Sequence, residues 1–110
     1  MATATKKHLS EDADGGGILI AATGSPGTDV HDADANLEDE VWLFASNEDA
    51  ADVVLTVEWG SREIIQTIPA QSGLVTVIPG QPVTSSLAIA AYSSVANDVT
   101  VFGFVNQITN

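Results

Sequence analysis

Residues 53–68 read Val53-Val54-Leu55-Thr56-Val57-Glu58-Trp59-Gly60-Ser61-Arg62-Glu63-Ile64-Ile65-Gln66-Thr67-Ile68. Two alternating runs meet at Gly60-Ser61. In an extended chain successive side chains point to opposite faces, so Val53, Leu55, Val57 and Trp59 share one face and Val54, Thr56 and Glu58 the other. Ile64, Gln66 and Ile68 likewise oppose Ile65 and Thr67. A two-residue connection with Gly first is what a tight hairpin turn requires. The stretch predicts a β-hairpin, and its neighbours extend the pattern.

Short β-rich runs recur at Glu40–Ser46, Asp52–Gly60, Arg62–Ile68, Gly73–Ile78, Ser86–Ser93 and Asp98–Gln107. Pro69-Ala70-Gln71-Ser72-Gly73 and Pro79-Gly80-Gln81-Pro82 read as turns between them. Asn47–Asp52 reads as a hairpin loop. Ile18–Ala22 is expected to add a further strand. This spacing predicts an all-β fold, a single small antiparallel β-sandwich or barrel of about 6–8 short strands. The last run sets Val99, Val101, Gly103 and Val105 against Thr100, Phe102, Phe104 and Asn106. Apolar groups on both sides predict a strand covered on two faces.

Charge divides the chain. Of fifteen carboxylates, twelve lie in residues 1–52, where Lys6 and Lys7 are the only lysines, and the net formal charge is −12. Residues 1–17, ending in Gly15-Gly16-Gly17, read as an extended, flexible acidic arm. Residues 1–39 are therefore expected to form an arm and loop with one short strand, ahead of a sandwich domain at residues 40–110. So acidic a chain repels nucleic acid and anionic membranes, and neither is expected as a partner. The same composition also suits proteins of salt-rich cytoplasm. With no cysteine, disulfides and thiolate chemistry are excluded. No apolar run follows the two lysines, so no secretion signal is expected, and Ile18–Ala22 is too short to span a bilayer.

Candidate chemistry is sparse. Asp32, Asp34 and Asn36 stand at alternate positions, like the first ligands of a calcium loop. Leu37 and Leu43, however, occupy the places of the required Gly and bidentate Glu. The expectation is an acidic loop satisfying its own turns. Asp12-Ala13-Asp14-Gly15 has the same flavour. His31, near Asp29, Asp32 and Asp34, invites a zinc or pH-switch reading, against an expectation of a surface histidine; His8 lies in the arm. No serine sits in a nucleophile elbow, and Glu58 and Glu63, the carboxylates well inside strands, flank a turn. Gly15-Gly16-Gly17 lacks the lysine and strand-to-helix setting of a phosphate loop. No enzymatic activity and no cofactor are expected. Trp42, Phe44, Trp59, Phe102 and Phe104 are the candidate subunit or partner interface, with a sugar-stacking platform as the competing reading.

Glu40-Val41-Trp42-Leu43-Phe44-Ala45-Ser46-Asn47, Leu55-Thr56-Val57-Glu58-Trp59-Gly60, Ile68-Pro69-Ala70-Gln71-Ser72-Gly73-Leu74-Val75 through Pro79-Gly80, and Val101–Thr109 together resemble the small head decoration, or cement, proteins of tailed bacteriophages. The resemblance spans residues 40–110, about two-thirds of the chain. It lies in strand texture and turn wording, and residues 1–39 share it less. It implies a structural virion protein, commonly a homotrimer. Such a protein binds the outer capsid surface and reinforces contacts between major capsid proteins. Alternatives are another virion β-domain (tail, neck or fibre component) and a non-viral glycan- or calcium-binding β module.

Overall fold

The computed structural model describes residues 3–109. Their strands are β1 (Thr3–His8), β2 (Ile18–Leu19), β3 (Thr28–Asp32), β4 (Glu38–Asn47), β5 (Val53–Trp59), β6 (Arg62–Ile68), β7 (Ser72–Val83), β8 (Ala88–Ser93) and β9 (Val99–Thr109). One sheet runs β1-β9-β4-β7, with β2 also paired to β9; the other runs β3-β8-β5-β6. All strand pairs are antiparallel. The chain is an all-β, two-sheet sandwich.

The β5–β6 hairpin forms in the expected register, from Val53↔Ile68 to Trp59↔Arg62. Gly60 takes φ +62°, which a side chain would resist, at the first turn position. Between the sheets, Val53, Leu55 and Val57 of β5 meet Val41, Leu43 and Ala45 of β4 and Val99, Val101 and Val105 of β9, all buried. Ile20, Val30, Ile68, Ile78 and Ile89 complete the apolar layer. Alternation decides the positions on β4, β5 and β9.

Nine strands among the described residues exceed the expected number, and the excess lies mainly before residue 40. The expected flexible arm is instead a strand followed by a closed loop. β1 pairs with β9 from Thr3↔Thr109 to His8↔Phe104, and Leu9 is buried directly after it. The Asp12 carboxylate then accepts the N–H groups of Gly15 and Gly17, pinning the glycine run. Thr3-Ala4-Thr5-Lys6-Lys7-His8 shows no apolar period because every residue is exposed. Backbone pairing with β9, rather than burial, makes it a strand. The segment before residue 40 also supplies β2 and β3 to the two sheets.

Pro79-Gly80-Gln81-Pro82 does not end a strand. β7 continues through it as a sheet edge, with register shifts against β4 between Val41 and Trp42 and between Leu43 and Phe44. An edge tolerates proline, since no partner there needs the missing N–H. The chain turns later, where Ser85 and Ser86 take φ +59° and +58°.

Candidate functional site

The outer face of the β1-β9-β4-β7 sheet gathers four of the five aromatic residues expected at an interface. Register sets Trp42 opposite Phe104 and Phe44 opposite Phe102. Phe104 stacks on Trp42 at 6.0 Å between centroids with planes 11° apart, and on Phe44 at 6.5 Å and 27°. The Lys6 ammonium lies 4.8 Å from the Phe104 ring centre. Trp42 rests on Gly80, where an added Cβ would come within 2.8 Å of the indole. Phe102 rests on Gly17 in the same way, at 2.7 Å. Lys6, Phe104, Trp42 and Gly80 thus form a row across four strands. The four aromatic side chains are half-buried, each keeping part of its surface exposed among the described residues.

Trp59, the fifth, lies elsewhere. It is on the inner face of β5 with Val53, Leu55 and Val57, half-buried and packed on the core. The alternation of residues 53–59 already carried that signal.

Polar groups lock the row in place. The Trp42 indole N–H donates to Glu40 at 2.7 Å, and the Asn106 amide donates to the same oxygen at 3.1 Å. These two bonds, the indole's first, hold the Glu40 carboxyl below the usual carboxylate range. The rings turn their faces to one another, to Lys6 and to Gly80. With Trp42 and Phe44 stacked on it and Lys6 over its ring, Phe104 is already engaged within the chain, which suits packing against a protein surface better than stacking on a sugar.

The acidic loop spends its carboxylates on itself. Asp34 accepts the N–H groups of Asn36 and Leu37 at 2.8 and 2.7 Å, and these bonds lower its pKa, Leu37's first. Asp32 is exposed at the end of β3. Among the described residues, no three His, Asp or Glu side chains are gathered closely enough to hold a metal ion. Glu58 accepts Ser25 Oγ–H and the Gly27 N–H, both at 2.6 Å, and its pKa is lowered, by Ser25 first. Its cross-strand partner Glu63 accepts the Tyr92 hydroxyl at 2.8 Å, which raises the phenol's pKa.

His31 departs most from expectation. A register shift between Asp29 and His31 lets Val30 and His31 both turn inward, so the histidine is buried rather than on the surface. Its Nε2 lies 2.9 Å from Asp39 Oδ2, and its Nδ1 accepts the Ser10 N–H at 2.9 Å. The network assigns the proton to Nε2. Gln107 donates to the other Asp39 oxygen at 3.0 Å. Ser10, His31 and Asp39 have the residue types of a hydrolytic triad, but both imidazole nitrogens are occupied. The Ser10 hydroxyl instead accepts the Asp32 N–H at 2.8 Å. The cluster ties the end of β1 to both sheets. No pattern of alternation could reveal it, because a bulge is a break in alternation.

Comparisons of the chain with protein-family models, with curated proteins and with solved structures give no match.

Proposed function

We propose that this chain is a structural virion protein that decorates a phage head, docking its outer aromatic face on the major capsid protein. The observation carrying the reading is the half-exposed row of Trp42, Phe44, Phe102 and Phe104 on a sheet face that the described residues cover only in part. Aromatic residues held in fixed rotamers are the usual anchors of protein–protein contact, since little side-chain entropy remains to be lost. The resemblance of residues 40–110 to head decoration proteins supplies the identity of the partner. The charge of −12 favours the outer surface over a lumen filled with DNA.

Particles labelled with antibody against the chain test the location: gold on heads supports the reading, and gold confined to tails overturns it. Co-sedimentation of the purified chain with emptied heads tests the face. Phe44→Ser, at a half-exposed position, is expected to reduce bound chain several-fold while its circular dichroism stays native. Equal binding by the folded variant would remove the aromatic face from the proposal.

A further inference from the structure

The most exposed large apolar side chains lie away from the aromatic row, on the flank formed by β6 and β7. Ile65 is 65% exposed and Leu74 63%. β7 follows β6 across a short turn and forms the adjoining edge of the other sheet. From Ile64 to Asn97 the sequence contains no Asp, Glu, Lys, Arg or His. In a chain of net charge −12 this is the one long stretch where a like-charged molecule meets little repulsion.

Sheet edges expose unpaired N–H and C=O groups, and proteins usually protect them with charge, proline or bulges. Three of the edges here are protected in that way. β1 carries Lys6 and Lys7, β3 has a register shift and exposed aspartates, and β7 holds Pro79, Pro82 and several shifts. β6 has no proline, and it pairs with β5 without a shift over its whole length. Beyond Arg62 and Glu63 at its hairpin end it carries no charge. In an antiparallel pair closed by a two-residue turn at Trp59↔Arg62, alternate residues point their amide groups away from the partner. On β6 those residues are Glu63, Ile65 and Thr67, and the Thr67 carbonyl is held only by the exposed Gln66 side-chain amide, at 3.1 Å, which an incoming strand can displace.

We infer that the free edge of β6 binds a second copy of this chain, the two β6 strands pairing antiparallel about a two-fold axis at Ile65. The segment is self-complementary in that register. Ile65 faces Ile65 of the second copy, Ile64 faces Gln66, Glu63 faces Thr67 and Arg62 faces Ile68. No like charges stand opposite one another. The two β3-β8-β5-β6 sheets join into one, with the exposed isoleucines covering each other at its centre. The outer aromatic face of the other sheet stays free for a different partner. This inference does not rest on the capsid reading, and it gives a two-fold pair in place of the trimer that the resemblance implies.

Sedimentation equilibrium of the full chain tests it. The expected mass is twice the 11.4 kDa of one chain, falling to one chain in Ile65→Lys with circular dichroism unchanged. The chain has no cysteine, so Ile65→Cys adds a single thiol. Under mild oxidation it is expected to cross-link about tenfold or more faster than Leu19→Cys, an exposed control on the other sheet. A monomeric wild type overturns the inference. So does a dimeric or trimeric mass that Ile65→Lys leaves intact, or equal cross-linking at the two positions.

Discussion

His31 and Asp39 meet side chain to side chain at 2.9 Å, with only 4% and 2% of the two residues exposed. They come from different sheets, β3 and β4, so the bond joins the layers by polar chemistry, as the buried Asn47 amide of β4 does by donating to the Ile68 carbonyl of β6 at 3.1 Å. Removing one partner leaves the other buried without its main hydrogen bond. His31→Ala is expected to cost about 3–5 kcal/mol, since Asp39 would keep only Gln107 and a weak backbone donor. Replacing both residues with apolar ones of similar volume is expected to cost less than the two single changes together. Urea denaturation of the three variants measures this; strict additivity would show that the pair is not coupled.

Gly103 is a second point of close approach. A Cβ there would sit 2.2 Å from the Trp42 carbonyl oxygen, and backbone cannot swing aside as a long side chain can. Gly103→Ala must therefore push β9 and β4 apart below the aromatic row. A loss of about 1–3 kcal/mol is expected. The Trp42 indole should move with the strand, so a shifted fluorescence spectrum in the folded variant is the second readout. A neutral substitution would mean that the two strands separate at little cost.

The legible and illegible parts of this molecule differ by physical cause. The β5–β6 hairpin was readable because its strands bury one face, and burial writes a period of two into the residues. The same rule separated Phe102 and Phe104 from Val101 and Val105. β1 was hidden because it buries no side chain, so burial writes no period into its residues. The continuation of β7 past Ile78 was hidden because its prolines lie on an edge where they do no harm. His31 was misplaced because its acidic, turn-rich segment read as loop, and the register shift in β3 breaks the alternation that would have marked a strand there. Trp59 was grouped with the interface by residue type alone, although its own alternation set it with the core.

Acid stability is expected to depend on carboxylates with opposite signs. Glu40 has a folded pKa below its ordinary 4.5, so its contribution is full above that value and is lost as pH falls through the folded one. Glu40→Gln should therefore be less stable at neutral pH and lose less on acidification below 4.5. Asp98 runs the other way. The neighbouring Asp49 carboxyl raises its pKa, so its contribution is present at low pH and lost as pH rises through the folded value. Asp98→Asn is expected to stabilise the protein at neutral pH and to lose that advantage in acid. Urea midpoints at neutral pH and in steps below 4.5 check both. Parallel curves for wild type and either variant would contradict the assignment.

The aromatic row is built of contacts whose members can be removed in pairs. Phe104 has Trp42 on one side and the Lys6 ammonium at 4.8 Å from its ring centre. A double-mutant cycle between Trp42→Ala and Phe104→Ala should give a coupling of about 0.5–1.5 kcal/mol. The Lys6→Ala and Phe104→Ala cycle should give about 0.5–1 kcal/mol, as an exposed cation over a ring does. Both couplings act in the isolated chain, so the rings are held in place before any partner arrives. If the row is a docking surface, Lys6→Ala should weaken binding to emptied heads more than it lowers stability, since it loosens Phe104 without breaking the fold. Binding unchanged in the face of a measured Lys6–Phe104 coupling would mean that the row only zips its own sheet.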